Sequence, residues 1–297
     1  MKKYLWLCGL LLVLGAADNN AADFLQTGLS ARSMALGSTG IAAGGHIDAA
    51  FLNPAALQDV RLEFFSAAAQ DFGLAENKMF AWAGAFTFQG RPVAAGLIYA
   101  GSAVNGLERT ELDADERPVE QGVFNVGKNN YTLVLAGEQA PDFWWGWSLR
   151  RYLYALDASS AEATALDLGC RWTMLRLGGA EIFGGTSLRN IGRTKVRWST
   201  GHTDTLPFGV NFGLSAAREI LAGQALLNLD WGWREEQELE FRAGLEYDLH
   251  TLILRAGWDE RLTYGIGLHY FELTLDYAQT THEDLGLQQR VSLLLYL

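Results

Sequence analysis

The sequence predicts an all-β protein, a transmembrane antiparallel β-barrel of about 14 strands with a small N-terminal hatch segment. Apolar and polar residues alternate from about residue 61 to residue 297, which is the period of a strand with two different faces. The alternating segments run about 9–12 residues, the length that a tilted strand needs to cross a bilayer, whereas soluble strands average about 5–6 residues. Strand length therefore favours a membrane barrel over a soluble sandwich.

The composition excludes two other classes of protein. With 49% hydrophobic residues, the 297-residue chain is not a disordered protein. Its net charge of −11, from 34 acidic and 23 basic residues, argues against a nucleic-acid partner, because phosphate neutralisation needs clustered Lys and Arg. Two cysteines, Cys8 and Cys170, cannot build a disulfide framework.

Residues 1–17 have the pattern of a cleaved signal peptide. Lys2 and Lys3 precede an apolar run from Tyr4 to Leu14, and Gly15-Ala16-Ala17 supplies the small residues of a cleavage site. The apolar run is too short to span a bilayer as a helix. We therefore expect an exported protein, located in the outer membrane of a Gram-negative-type bacterium.

Residues 18–60 interrupt the alternation and predict a hatch or plug inside the barrel. Small residues and glycines dominate this segment, so its backbone is expected to pass close to other backbone. Asn53-Pro54 suits the start of a short helix, with Asn as the cap and Pro at the first position.

Residues 61–297 are predicted to form the barrel. An even strand number places the first and last residues of the barrel segment on the periplasmic side, where the connections between strands should be short. Gln89–Arg91, Ala140–Asp142 and Leu249–His250 are tight, and the long connections 103–128 and 191–206 are expected on the opposite side. The expected strands lie near 62–71, 78–89, 92–102, 129–139, 143–153, 163–174, 180–190, 207–217, 223–233, 238–248, 250–258, 261–270, 271–279 and 287–297.

Tryptophans near strand ends predict the aromatic girdles of a membrane barrel. Trp144, Trp145 and Trp147 begin one strand. Trp231, Trp233 and Trp258 lie near the outer ends of two others. Trp172 is in mid-strand, where both a girdle and an interior packing position remain open.

Two motifs in the hatch carry a family resemblance. Gly28-x-x-Ala31-Arg32-x-Met34-x-x-Gly37, followed by Asn53-Pro54-Ala55-x-Leu57, resembles the PorV/PorQ family, a branch of the FadL-like outer-membrane barrels. Similar segments occur at Ser187–Gly192, Leu206-Pro207, Arg255–Trp258, Leu275–Ala278 and Gln289–Leu293. The sequence departs from the family pattern in three ways. It ends in Leu297, where outer-membrane barrels usually end in Phe or Trp; it has Ala56 where Gly is common; and it is short for the family, so its surface loops are expected to be trimmed. The hatch-motif residues are Arg32, Gly37, Gly40, Asp48, Asn53 and Pro54.

The charged residues on one strand face are expected to point into the lumen. Mixed signs favour pairing across strands or with the hatch over a selective polar conduit, although both readings remain open. These residues are Asp167, Arg171, Asp230, Glu240, Arg242, Glu246, Asp248, Arg255, Glu272, Asp276 and Arg290. A separate acidic run is expected to be a solvated surface loop, with cation or partner binding as the alternative: Glu108, Glu111, Asp113, Asp115, Glu116 and Glu120.

No catalytic, metal or cofactor site is predicted. Gly122–Asn129 nearly matches a phosphate-binding loop, but Asn129 replaces the Ser or Thr that holds magnesium and no helical pattern follows. The five histidines lack paired metal-ligand spacing. His282, beside Glu283 and Asp284, is expected in a solvated loop rather than in a catalytic triad.

The resemblance implies a docking role. A PorV-type barrel would anchor exported proteins or secretion components at the outer membrane, in a type IX secretion-like system. The alternative is a FadL-like transporter of hydrophobic small molecules, with an apolar pocket at the mouth and a lateral opening where Gly84, Gly96 or Gly137 interrupt strands. Outer-membrane lipid is an expected partner in both cases.

Overall fold

The computed structural model describes residues 30–71, 73–113, 117–235, 237–282 and 286–297. The expected signal peptide at 1–17 and the first part of the expected hatch lie outside these residues. The described chain confirms the expected fold, a closed antiparallel barrel of 14 strands. Closure is complete because the first barrel strand pairs with the last, with Glu63 opposite Tyr296 and Asp71 opposite Gln288.

The described residues contain sixteen strands, of which two form a hairpin outside the barrel ladder. The hairpin consists of β8 (Thr194–Trp198) and β9 (Thr203–Leu206). The barrel strands are β1 (Leu62–Asp71), β2 (Ala75–Phe88), β3 (Arg91–Leu112), β4 (Pro118–Ala140), β5 (Phe143–Leu156), β6 (Ser159–Leu177), β7 (Ala180–Arg189), β10 (Gly209–Ile220), β11 (Gly223–Arg234), β12 (Glu240–Asp248), β13 (Leu252–Asp259), β14 (Arg261–Tyr270), β15 (Leu273–His282) and β16 (Gly286–Tyr296).

The two ends of the barrel differ in their connections. At one end, called the short-turn end, strands are joined by connections such as Gln89-Gly90 and Gly178-Gly179. Gly178 and Gly179 both have positive φ, 59° and 79°, as a two-residue hairpin turn requires. The residues Leu62 and Leu297 also meet at this end, where Leu297 N donates to Leu62 O.

The structure differs from the expectation for Glu272. This residue does not face the lumen but lies exposed in the Phe271-Glu272 turn between β14 and β15. The alternation Glu272, Thr274, Asp276 continues through the turn by coincidence, because β15 begins only at Leu273. Periodicity alone does not show where the chain reverses.

At the opposite end, called the ribbon end, two expected loops are regular structure. Residues 103–112 and 118–128 extend β3 and β4 into a ribbon, with register shifts between Val104 and Leu107 and between Glu108 and Thr110. Alternation is weak there because both faces of the ribbon are exposed to water. Residues 191–206 contain the β8–β9 hairpin, which continues the wall beside β6 through the pair Ala161 and Trp198.

The outer surface of the barrel is apolar and rich in aromatic side chains. Trp172, Phe212, Trp231 and Phe241 form a row with ring centroids 6.5, 6.0 and 5.5 Å apart. Trp172 covers Gly184 of β7, where an added Cβ would lie 2.6 Å from the indole ring. Trp172 therefore belongs to the outer surface and not to the interior.

The described part of the hatch, residues 30–60, contains three short helices. They are an α-helix, α1 (Ala31–Ala35), and two 3-10 helices, Ile47–Phe51 and Pro54–Asp59. Ser30 caps α1 by accepting a hydrogen bond from Ser33 N. None of the helices in the described chain is long and apolar enough to cross a membrane.

Candidate functional site: the lumen and its hatch

The hatch lies against the inner wall along a row of glycines. An added Cβ on Gly146 of β5 would lie 2.5 Å from Ala55 N, and one on Gly244 of β12 would lie 2.5 Å from Leu36 O. A Cβ on Gly265 of β14 would lie 2.6 Å from the Ala35 Cβ. These distances leave no room for a side chain. The row, called the glycine track, comprises Gly146, Gly169, Gly185, Gly213, Gly244, Gly257 and Gly265.

Arg32 connects α1 to a chain of charges on the wall. Its Nε donates to Glu246 Oε2 at 2.9 Å, and its Nη2 donates to Glu246 Oε1 at 3.1 Å. Glu246 also accepts from Arg255 Nε at 2.6 Å, and Arg255 Nη1 donates to Asp276 at 2.6 Å. Alternating signs along this chain neutralise each charge, which makes its burial tolerable.

A buried carboxylate holds the turn that follows α1. Asp230 Oδ2 of β11 accepts hydrogen bonds from Gly40 N at 2.7 Å and Ile41 N at 3.1 Å. Gly37, three residues before Gly40, has φ of 64° and lies against the backbone of Trp258. A Cβ added to Gly37 would be 2.6 Å from Trp258 N. Gly37 is thus required both by conformation and by close packing.

Asn53 and Pro54 start the second 3-10 helix, as the sequence predicts. Asn53 Oδ1 accepts from Ala55 N at 3.1 Å, and Pro54 occupies the first position. Asn53 Nδ2 also donates to Ile41 O at 2.7 Å and to Cys170 O of β6 at 3.0 Å. The cap therefore joins two parts of the hatch to the wall.

Two arginines hold hatch carbonyl oxygens. Arg171 Nε donates to Ala42 O at 2.8 Å, and its guanidinium lies 4.1 Å from the Phe183 ring centroid and 4.9 Å from that of Trp144. Arg150 Nη2 donates to Phe51 O at 2.8 Å. Trp144 therefore points inward, and it is not part of the outer girdle predicted for it.

Arg150 and Glu63 were not singled out from the sequence, although alternation places both on inward faces. Arg150 is fully buried and pairs with Asp167, Nε to Oδ2, at 2.6 Å. Asp167 Oδ1 also accepts from Asn190 N. Glu63 Oε2 accepts from Ile47 N at 2.8 Å.

The remaining predicted residues are Asp48 in the hatch and a set of charged residues toward the ends of the strands. Asp48 accepts a hydrogen bond from Ser30 Oγ at 2.7 Å within the hatch. Arg242 pairs with Glu240, and Arg290 Nη2 lies 3.8 Å from Asp71 Oδ2. Asp248 accepts from His250 N and thereby closes the β12–β13 turn.

His46 is a titratable hatch residue that contacts the wall near the short-turn end. Its Nδ1 lies 2.9 Å from Glu63 Oε1, and its ring centroid lies 6.2 Å from that of Tyr296. Burial disfavours the charged imidazolium, but the hydrogen bond and negative charge of Glu63 outweigh this effect, so the pKa of His46 is raised.

The lumen beside β1–β6 has a large apolar surface next to its charged residues Glu63, Arg150, Asp167 and Arg171. The residues of this apolar surface are mostly alanines, and Phe51 and Leu57 of the hatch pack against them. Tyr152 and Tyr154 are parallel with centroids 6.0 Å apart, and Trp198 of β8 lies 6.4 Å from Tyr154. This surface, called the apolar luminal wall, comprises Phe65, Ala67, Met79, Ala81, Ala83, Ala94, Ile98, Ala100, Val134, Ala136, Tyr152, Tyr154, Ala161, Ala163 and Ala165.

The structure shows a continuous wall at the glycines where a lateral opening was expected. Gly84 pairs with Ala95, Gly96 with Ala83 and Val134, and Gly137 with Val93, without a register shift next to them in the β2–β3 or β3–β4 ladder. On its other side Gly137 pairs with Trp145, and the β4–β5 ladder continues past a register shift between Glu138 and Ala140. A small residue does not interrupt the backbone ladder, because the ladder uses only main-chain groups.

The other sequence candidates lie away from the lumen or outside the described residues. Glu108 and Glu120 are exposed on the ribbon, and Gly122–Asn129 is part of β4, so it is a strand and not a phosphate-binding loop. Asp113 lies at the ribbon tip. The side chain of Glu111 and residues 115–116 of the acidic run lie outside the described set. The side chain of His282 and residues 283–284 lie outside it as well. Within the described chain, no three His, Cys, Asp or Glu side chains are grouped to hold a metal ion.

The fold is similar to that of solved outer-membrane transport proteins. The toluene transporter TodX of Pseudomonas putida superposes with a TM-score of 0.51 at 11% identity, covering 90% of this chain and 96% of TodX. A FadL homologue from Pseudomonas aeruginosa gives 0.52 at 11% identity, covering 89% and 97%. No protein-family model matches the chain, and no curated protein matches it. The chain thus has the fold of FadL-type outer-membrane barrels.

Proposed function

We propose that this protein carries small hydrophobic molecules across the outer membrane. The observation that supports this function is the apolar luminal wall on β1–β6. The interior of a membrane barrel is ordinarily polar, because water fills a diffusion channel. An apolar solute gains free energy on leaving water for such a wall, whereas a sugar or ion loses hydration there.

The proposed path begins at the ribbon end, which faces the cell exterior if the short turns face the periplasm. Tyr152, Tyr154 and Trp198 form its aromatic entrance. Ala83, Ala94 and Ala136 continue the same wall toward the short-turn end. Phe51 and Leu57 pack on this wall, so a solute passes when the two 3-10 helices leave it. The charge chain through Arg32 keeps α1 in place meanwhile.

Uptake by intact cells tests this function. A Gram-negative host without its own hydrophobic transporters would express the protein, and entry of labelled acetophenone and toluene would be compared with entry of a labelled trisaccharide. We expect entry of at least one hydrophobic probe to exceed the empty-vector level and trisaccharide entry to remain at that level. Equal entry of the sugar would indicate a diffusion pore, and entry of neither hydrophobic probe would contradict transport.

Two substitutions at one position sharpen the test. Tyr154→Asp places a carboxylate in the aromatic entrance and should reduce hydrophobic uptake about tenfold or more, because desolvating the charge opposes an apolar solute. Tyr154→Phe keeps the ring and should leave uptake near the wild-type level. Equal uptake by both variants would show that transport does not depend on this aromatic entrance.

A docking role for exported proteins is the second candidate, and the ribbon favours it. β3 and β4 are 22 and 23 residues long, whereas about 9–11 residues cross a bilayer. Their outer halves therefore project into water and offer a protein-sized surface, as the PorV/PorQ resemblance also implies. Native purification in mild detergent followed by mass spectrometry tests this role. A stoichiometric exported protein that is lost when the ribbon is shortened, with hydrophobic uptake retained, would support docking as a separate function.

A further inference from the structure

Asn130 places an amide side chain in a row of residues of the apolar luminal wall, and the other residues of this row carry no amide. Strand register places six inward-facing residues side by side at one level of β1–β6: Ala67, Met79, Ala100, Asn130, Tyr152 and Ala163. All six are buried, and Asn130 has no exposed surface. An aliphatic side chain of similar size would suit these apolar surroundings better than an amide does.

Half of the Asn130 amide has no hydrogen-bond partner. Thr132 Oγ1 donates to Asn130 Oδ1 at 2.5 Å, which orients the amide. Asn130 Nδ2 finds no acceptor among the described residues. A buried N–H donor without an acceptor destabilises the folded protein, so its presence calls for a group that satisfies it.

The position of Asn130 relative to the hatch identifies where that group would come from. Thr132 lies opposite Arg150, which holds Phe51 O of the hatch. Asn130 lies two residues further toward the ribbon end, opposite Tyr152. A solute that enters between Tyr152 and Tyr154 therefore meets Asn130 before it meets the hatch.

We propose that Asn130 Nδ2 is a hydrogen-bond donor for the transported molecule, and that the protein selects uncharged apolar molecules that carry an acceptor oxygen, such as ketones or esters. This inference rests on the proposed transport function. The apolar wall binds the hydrocarbon part, and the oriented amide distinguishes an oxygenated solute from a plain hydrocarbon of the same size. A solute that lacks the oxygen leaves the donor unpaired and is disfavoured.

The test compares cellular uptake of two labelled probes of similar shape, acetophenone and ethylbenzene, after subtraction of the empty-vector rate. The variant Asn130→Leu/Thr132→Val removes the donor and the hydroxyl that orients it. We expect the ratio of acetophenone to ethylbenzene uptake to fall about fivefold, the effect of one hydrogen bond, with ethylbenzene uptake equal to or above the wild-type level. Asn130→Asp keeps the shape and replaces the donor by an acceptor, and it should lower the same ratio.

The charged side of the lumen offers a matched control. Ser215 Oγ donates to Asn228 Oδ1 at 2.6 Å, and Asn228 Nδ2 also finds no partner among the described residues. Asn228→Leu/Ser215→Val therefore makes the same chemical change away from the proposed path and should preserve the ratio. Heat-modifiable migration on gels would show that each barrel is folded.

The outcomes separate this inference from the function on which it rests. Uptake of neither probe by the wild type would overturn both. Uptake of both probes with a ratio that Asn130→Leu/Thr132→Val and Asn130→Asp leave unchanged would overturn the role of Asn130 alone. An equal fall of the ratio in the Asn228→Leu/Ser215→Val control would assign the effect to general luminal polarity and would also overturn it.

Discussion

The two sides of the lumen hold the same hatch by different forces. On the side of β10–β16, Glu246 lies between Arg32 and Arg255, and Asp230 accepts two hatch N–H groups. On the side of β1–β6, Phe51 and Leu57 pack against a wall made largely of alanine. One side uses directional, charge-assisted contacts, and the other uses apolar packing supplemented by a few polar contacts such as Arg150 with Phe51 O.

This difference indicates which part of the hatch can move. Separating buried ion partners leaves charges without compensation, which costs about 3–5 kcal/mol for a pair. Apolar packing has no directional requirement, and an apolar solute can replace the contacts that a leaving side chain gives up. We therefore expect α1 to be the anchor and the two 3-10 helices to be the moving part. Four substitutions or conditions test this comparison.

Glu246→Ala should have the largest effect on stability. It leaves Arg32 without its bidentate partner and Arg255 with Asp276 alone. We expect a loss of about 3–5 kcal/mol in the free energy of unfolding, measured by denaturant titration in detergent micelles. Glu219→Ala, at an exposed position near the short-turn end of β10, is the control and should change stability by less than about 0.5 kcal/mol. Similar losses for both variants would contradict the anchoring role of the charge chain.

Leu57→Ala tests the apolar side. Leu57 is fully buried in the second 3-10 helix, so truncation removes apolar contacts and leaves a cavity. The expected loss is about 2–5 kcal/mol, with the cleavage of residues 47–59 by protease accelerated more than that of residues 30–40. Leu133→Ala, on the outward face of β4, should have a much smaller effect. Equal acceleration at both hatch regions would show that the hatch moves as one unit.

Gly146→Ala tests the glycine track. The added Cβ would lie 2.5 Å from Ala55 N and 2.7 Å from Pro54 O, which are backbone atoms that cannot rotate away. We expect a destabilisation of about 1–3 kcal/mol and faster proteolysis of the hatch. Gly84→Ala is the matched control, because its Cβ would have no neighbour nearer than 3.7 Å. An unchanged hatch in Gly146→Ala would mean that the hatch does not lie on this track.

The pH dependence at His46 should be the smallest effect. The pKa of His46 is raised above its ordinary value of 6.5, so the folded state binds the proton more tightly than the unfolded state does. The stabilisation is complete below pH 6.5 and is lost as pH rises through the higher pKa of the folded state. The melting temperature should therefore fall between pH 6 and pH 9, and His46→Asn should reduce that fall. Because the side chain is 36% exposed, water weakens the interaction with Glu63. The same fall in His46→Asn would refute this assignment.

Much of the barrel could be predicted from alternation, whereas its ends could not. The expected strand 223–233 corresponds to Gly223–Arg234, and the expected strand 261–270 to Arg261–Tyr270. In both cases one face meets lipid and the other meets the hatch, so the sequence must alternate. The ribbon lacks two distinct environments, and its strands 103–112 and 118–128 were consequently expected as a loop.

The candidate site was predictable by residue type but not by partner. Arg32 and Asn53 were recognised from the hatch motifs and Asp230 as a charge on an inward strand face, yet their partners lie far along the chain. Arg32 meets Glu246, 214 positions away, and Asp230 meets Gly40, 190 positions away. The prediction for Trp144 was wrong. A tryptophan at a strand end suggests an outer girdle, but the strand register places Trp144 inward, beside Arg171.

The sequence by itself determined the all-β architecture, the approximate strand positions, the apolar outer surface and a hatch rich in small residues. These features depend on local periodicity and on residue size, both of which are visible in short stretches of the sequence. Only the tertiary structure decided that a large apolar wall gathers on one side of the lumen, and that seven glycines align as a track. Both features arise from strand register and barrel closure, which bring together residues from distant strands that share no local sequence pattern.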